Sequence, residues 1–321
     1  MNYKKILSPV MLAALPALAT AQFSVDSVSE ALTVSEIESA LGVSNTSGLE
    51  GVALGPSDTA FIIHDDAGAL TVAQMDLTAK TALWTKTESQ ILTDLGLSGN
   101  LTLVGEFVYD ATNTRLVLSS DINATSPGDD WTVFEIDTSA NPYTASVVLS
   151  DASIQGWNSH DVTSAGIIVG ALGEEYEVLT GGEPKVGYID EASSVTAFVD
   201  LFDVDDFKTA TANGSGDEIT GELPPETVGI DKNSGEVYIF GHDNFELLSF
   251  SGISAVNPSD PEILTWDDAA TATGSRVDLH GLEVDGNGTV YGFDEAGAAL
   301  VIWDGNDIAS DVTGEFTFAS L

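Results

Sequence analysis

The stretch PETVGIDKNSGEVYIF (residues 225–240) reads as two short strands around a tight turn. Apolar and β-branched residues fill both arms. Asp231, Asn233 and Gly235 stand between them, and these residue types tolerate the positive φ that a tight hairpin needs. The same phrase recurs along the chain. Its first arm returns as LEGVAL (49–54), GEFVYD (105–110), HDVTS (160–164) and HGLEVD (280–285). Its second arm returns as TAFII from Thr59, RLVLS from Arg115, GIIVG from Gly166 and TVYGF from Thr289. A third strand follows each pair, as in LTVAQMD from Leu70 and WTVFEID from Trp131, and then a weaker fourth, as in TALWTK from Thr81.

The unit starts Glu50, Glu106, Asp161, Glu226 and His280 lie 56, 55, 65 and 54 residues apart. Four strands per unit at a near-constant period is the pattern of an all-β fold of radially packed sheets, a β-propeller. A lone four-stranded sheet cannot bury both faces, whereas sheets packed around an axis bury them against one another. Two stacked sheets are the competing arrangement, and the equal periods favour the propeller. The text gives five four-stranded blades. A sixth could be hidden in residues 90–103 with the amino-terminal segment, or in 208–223. The propeller domain is expected over 49–321, with an N-terminal extension over 22–48. Within that extension a short helical segment is expected over 28–41, with Val28, Leu32, Ile37 and Leu41 on one face. The segment TATANGSGDEITGE (209–222) is expected as a surface loop.

The first 21 residues read as a signal peptide. Lys4 and Lys5 precede an apolar run, and Ala19-Thr20-Ala21 offers a small-x-small cleavage pattern. The run is too short to span a bilayer and holds Pro9 and Pro16. Export to the periplasm or beyond the cell is the expectation, with no transmembrane segment.

Composition narrows the chemistry. The 321 residues hold 9 Lys and Arg against 51 Asp and Glu, a formal net charge of −42. Such a chain repels phosphate backbones, so nucleic acid is not an expected partner. The charge calls instead for cations or for a saline environment to screen it. No cysteine is present, so disulfides, thiolate catalysis and cysteine-held metals are excluded.

In each unit the start of the first strand and the end of the second fall at one end of the sheet. The starts carry Glu50, Glu106, His160-Asp161, Glu226 and His280. The ends carry His64-Asp65-Asp66, Asp121, Glu174-Glu175, His242-Asp243 and Asp294-Glu295. All four histidines of the chain fall in these places. Around an axis, they would ring one mouth of a central channel. Crowded carboxylates cannot all ionise cheaply, so either their pKa values rise or a cation neutralises them. Oxygen donors suit Ca²⁺. Glu50, Glu106, Asp161 and Glu226 are the candidate metal ligands. His160, His280 and Asp161 are the candidate catalytic residues. An Asp after a strand is often a turn former, which applies to Asp66, Asp121 and Asp294. The tryptophans are expected in the packing between blades, except Trp157, which precedes an inner strand and could line the mouth.

The phrases SGLEGVALGPSDTAFIIHDD (47–66) and HGLEVDGNGTVYGFDEAG (280–297) resemble secreted propellers of the gluconolactonase and paraoxonase group. The resemblance implies a divalent ion in the channel with Glu50 among its ligands. It also implies hydrolysis of lactones or esters with His160, Asp161 and His280 near the reaction. Three functions are compatible with the residues: a metal-dependent hydrolase of a small lactone, ester or phosphoester, a non-catalytic module binding a protein or glycan, and a salt-adapted protein with no specific site.

Overall fold

The structure, a computed structural model, describes residues 32–43, 49–65, 70–103, 107–121, 131–139, 141–150, 152–203, 225–241, 246–251, 262–268, 279–285, 288–294, 299–304 and 314–317. The signal segment 1–21 and the insert 209–222 lie outside the described residues.

Five antiparallel sheets follow one another along the chain. The first runs β1 (Leu49–Leu54), β2 (Thr59–Asp65), β3 (Leu70–Asp76) and β4 (Thr81–Thr87), in that order across the sheet. The second has β7 (Arg115–Asp121), β8 (Trp131–Asp137) and β9 (Ala145–Leu149). Its first strand is split into β5 (Thr102–Leu103) and β6 (Val108–Asp110), which both pair with β7. The third runs β10 (Trp157–Val162), β11 (Ile168–Leu172), β12 (Lys185–Asp190) and β13 (Ala197–Asp203). The fourth runs β14 (Pro225–Ile230), β15 (Val237–Gly241), β16 (Glu246–Ser251) and β17 (Glu262–Asp268). The fifth runs β18 (Leu279–Val284), β19 (Thr289–Asp294), β20 (Ala299–Asp304) and β21 (Gly314–Thr317). First strands adjoin from sheet to sheet, β1 beside β6, β6 beside β10, β10 beside β14 and β14 beside β18. This is the β-propeller that the repeats predict, with the first strands innermost.

The second strands show why the sheets stack in this way. Alternate residues point to opposite faces of a strand, and both faces here are buried. Leu116 and Leu118 of β7 join the core shared with sheet one, while Val117 joins the core shared with sheet three. Ile168 and Leu172 face sheet two, and Val169 and Ala171 face sheet four. Val237 and Ile239 face sheet three, and Tyr238 and Phe240 face sheet five. Strands buried on both sides read as unbroken apolar runs, which is how RLVLS and VYIF stand in the sequence.

Of the helical segment expected over 28–41, residues 28–31 lie outside the described residues. Helix α1 (Val34–Leu41) starts at a capping box in which Thr33 and Glu36 satisfy each other's backbone amides. It lays Ile37 on Ile62, Ala73 and Met75 of sheet one. Residues 90–103 do not form a sixth blade. They belong to helix α2 (Glu88–Leu95), which buries Ile91 and Leu92 between the first two sheets, and to β5 of sheet two. The other candidate for a sixth, 208–223, lies outside the described residues.

One guanidinium ties sheet two to sheet three. Arg115 donates from Nε to Asp110 at 2.9 Å and from Nη1 to Glu135 at 2.8 Å. It reaches across to sheet three through Glu191 at 2.7 and 2.8 Å and the Gly166 carbonyl at 3.0 Å. Burial works against its charge, but Glu191, Glu135 and Asp110 outweigh that and hold its pKa above the ordinary value. Removing one member of such a network leaves buried charge uncompensated. Arg115→Met is therefore expected to lower unfolding stability by about 3–5 kcal/mol in urea melts, with Arg115→Lys restoring little because an ammonium cannot span these acceptors. A loss below ~1 kcal/mol, the range of exposed pairs, would show that the network carries no weight.

Candidate functional site

Each inner strand breaks its register near its start. In β1 the pairing with β2 shifts between Leu49 and Gly51, and in β10 it shifts between Trp157 and Ser159. In β14 it shifts between Pro225 and Thr227, and in β18 between Leu279 and Leu282. In sheet two the break is the gap between Leu103, opposite Ser120, and Val108, opposite Val117. A bulge of this kind unpairs a residue and re-aims it.

The last paired residues of the inner strands are Leu54, Asp110, Val162, Ile230 and Val284. Four residues before each stand Glu50, Glu106, Asn158, Glu226 and His280. Glu50, Asn158, Glu226 and His280 thus share one register position in four sheets, at the bulge. Glu106 holds the matching sequence position and lies outside the described residues. Each bulge residue is a carboxylate, an amide or an imidazole. Asn158 is partly buried beside the start of β14. A Cβ built on Gly173 would lie 2.8 Å from its Nδ2 and 3.2 Å from the Pro225 carbonyl oxygen.

The third unit is where the sequence expectation needs correction. Its inner strand starts at Trp157, not at His160. His160 and Asp161 therefore sit two and three residues beyond the bulge, and Asn158 takes the place expected for Asp161. Counting back from the hairpin finds this residue. Matching the phrase HD against HG misses it.

His160 and Asp161 are engaged inside the fold. The His160 ring is wholly buried. Its Nδ1 accepts from Trp157 Nε1 at 3.3 Å, which leaves Nε2–H to donate to the Val117 carbonyl of sheet two, also at 3.3 Å. Val52, Val228 and Leu282 hold the same register position in other sheets, so the imidazole fills an apolar slot. Asp161 Oδ1 accepts from the Val162 amide at 2.7 Å and Oδ2 from the Ile230 amide at 2.9 Å. Lys232 Nζ stands 3.5 Å from Oδ1. Burial pushes the Asp161 carboxyl up, and the Lys232 charge opposes that. Trp157 does not line the mouth. It is 1% exposed, with its ring packed on Gly170.

Of the expected second-strand ends, Asp65, Asp121 and Asp294 close β2, β7 and β19. His64 is buried within β2. Glu174 and Glu175 open helix α3 (Glu174–Thr180) instead of ending a strand. Asp66, His242, Asp243 and Glu295 lie outside the described residues.

Seven Lys and Arg lie beyond residue 21. Five are committed to acids away from the bulge positions: Lys80 to Glu36, Lys86 to Asp94, Arg115 to its three carboxylates, Lys185 to Asp200 and Lys232 to Asp161. Lys208 and Arg276 lie outside the described residues. Among the described residues no group of three or more His, Asp or Glu is already gathered in metal-holding geometry.

No family model matches the chain, and no curated protein matches it. Solved structures do. A nidogen/laminin complex aligns with a TM-score of 0.53 at 10% identity, covering 85% of this chain and 81% of that one. A calcium-binding protein, regucalcin, from Agrobacterium tumefaciens aligns at 0.48 and 13% identity, covering 80% and 70%. A gluconolactonase from Xanthomonas campestris aligns at 0.48 and 12% identity, covering 84% and 75%. At these identities the likeness is one of fold.

The His160 environment predicts a pH dependence. Burial lowers its pKa from 6.5 to about 4, with the Val117 hydrogen bond opposing. The folded chain favours the neutral ring, so this contribution to stability is complete above the unfolded value and is lost as pH falls from 6.5 toward 4. Chemical denaturation of wild type and His160→Gln across that range should show the stability gap narrowing by about 3 kcal/mol as the pH drops. A gap that stays constant from pH 7 to about 4 would rule out a buried neutral imidazole.

Proposed function

We propose that the chain is an exported propeller that binds a divalent cation of the calcium class at the bulges of its inner strands and hydrolyses a small lactone, ester or phosphoester there. One observation carries the reading: Glu50, Asn158, Glu226 and His280 occupy a single register position in four of five successive sheets, whose inner strands adjoin in the order β1, β6, β10, β14, β18. Glu106 is the fifth member by sequence position. The donor set fits a hard cation, with carboxylate and amide oxygens from four sheets, and leaves the one imidazole free for proton transfer. Five of the seven cationic side chains beyond the signal are engaged elsewhere, so the acids of the mouth look to an external counter-ion.

In this reading Glu50, Glu106 and Glu226 supply the charge, and Asn158 adds a neutral carbonyl oxygen. When bound, a divalent cation supplies polarisation of a carbonyl or phosphoryl oxygen and a lowered pKa for water. His280, the imidazole at this register, takes the proton from the attacking water. Asp161 and His160 act on structure. Their bonds to Ile230, Val117 and Trp157 hold β10 in the register that presents Asn158.

Thermal melts in EDTA and in Ca²⁺, at fixed ionic strength, test the cation. Stability should rise by about 2.7 kcal/mol at a hundredfold excess over Kd, and the rise should vanish in Glu226→Gln but persist in the surface control Asp58→Asn. Equal melting points with and without Ca²⁺ would remove the cation from the reading. Turnover of a panel of lactones, aryl esters and phosphoesters tests the chemistry. It should fall at least ~100-fold in His280→Ala while the Ca²⁺ shift survives. A folded, Ca²⁺-responsive wild type that turns over none of the panel would leave a binding module in place of a hydrolase.

A further inference from the structure

Thr227 follows Glu226 on β14 and is 2% exposed, yet its Oγ1 has no hydrogen-bond partner. Leaving a hydroxyl dry and unpaired is costly, so an orphan of this kind asks for an explanation. Its counterpart one sheet back shows what the position ordinarily does. Ser159 of β10 holds the same register and uses its hydroxyl to accept the Val228 amide at 3.1 Å.

The direction of the Thr227 side chain follows from its neighbour on the same face. A Cβ built on Gly229 would lie 3.1 Å from Leu282 Cβ, 3.2 Å from Val284 Cγ2 and 3.3 Å from the Leu282 carbonyl oxygen. That face of β14 therefore looks at β18. The inner strands advance together: Ser159 and then Asp161 reach Val228 and then Ile230. Two residues before Gly229, Thr227 lies level with the segment of β18 where the register breaks between Leu279 and Leu282. The orphan hydroxyl thus faces the seam between two bulges, one at Glu226 and one at His280.

We propose that Thr227 Oγ1 is a further oxygen donor to the cation, reaching it directly or through one coordinated water, and that the cation sits on the β14–β18 side of the mouth. The proposal rests on the cation-binding reading above. A hydroxyl oxygen belongs to the same hard donor class as the neighbouring carboxylates, and a bound cation gives the hydroxyl the partner that the chain withholds.

The test compares wild type, Thr227→Val and Thr227→Ser by melting in EDTA and by Ca²⁺ titration at fixed ionic strength. Valine keeps the shape and removes the oxygen. In EDTA, Thr227→Val should melt at or above wild type, since an unpaired buried hydroxyl has been replaced by a methyl group. Its Ca²⁺ dissociation constant should rise by roughly tenfold or more, as for the loss of one contact to a charged group. Thr227→Ser should keep Ca²⁺ affinity within about twofold while melting lower, having lost only packing. A wild type without any Ca²⁺ response overturns the cation reading and this inference together. A responsive wild type with Thr227→Val binding Ca²⁺ equally well overturns the role of Thr227 alone. Melting of Thr227→Val well below wild type in EDTA would show that the hydroxyl is paired within the chain, and overturns it as well.

Discussion

The amides of Val228 and Ile230 face a neighbouring strand with which β14 forms no ladder, and the side chains of Ser159 and Asp161 supply the missing acceptors at 3.1 and 2.9 Å. This is the general difficulty of a propeller's axis. The innermost strand of each sheet has one edge paired and one edge turned toward a strand of another sheet. Buried amides on that second edge need partners. A polar side chain from the sheet before is one solution, and it fixes the height of one inner strand against the next. The height in turn decides which residues share a level.

The seams do not solve this problem alike. Between sheets three and four, Ser159 and Asp161 bond to backbone. Between sheets two and three, His160 reaches the Val117 carbonyl and Arg115 reaches the Gly166 carbonyl and Glu191. Between sheets four and five, the matching positions are Thr227, whose hydroxyl is unpaired, and Gly229, which has no side chain and lets Leu282 approach closely. The scarce cations follow the same logic. Arg115 and Lys232 stand beside the buried acids Asp110 and Asp161, and the buried Lys86 is met by Asp94. An abundance of acid is thereby tolerated at the seams.

Repeat number, strand order and hairpin chemistry were legible in the sequence because each is local. Asp231 and Asp285 accept the backbone amides of their own turns, and Gly235 and Gly288 take positive φ, as Asp/Asn/Gly clusters between apolar runs imply. Apolar runs such as RLVLS identified strands buried on both faces. Glu50, Glu226 and His280 were legible as strand-start residues for the same reason. Residues 90–103 misled as a candidate blade. Their helix is held by packing of Ile91 and Leu92 into a core assembled from two sheets, which no local period announces.

What the sequence could not settle was height. A bulge adds one residue to a strand without changing its texture, so HDVTS looked like the start of the third unit when the strand begins at Trp157. Only the cross-strand pairing, with Ser159 opposite Ala171 and Val162 opposite Ile168, moves His160 and Asp161 into the interior and puts Asn158 at the bulge. The amino-acid order determined that the chain repeats a four-stranded sheet and carries a polar residue near each inner-strand start. The tertiary structure decided which of those residues share a level, because that depends on hydrogen bonds between strands remote in sequence.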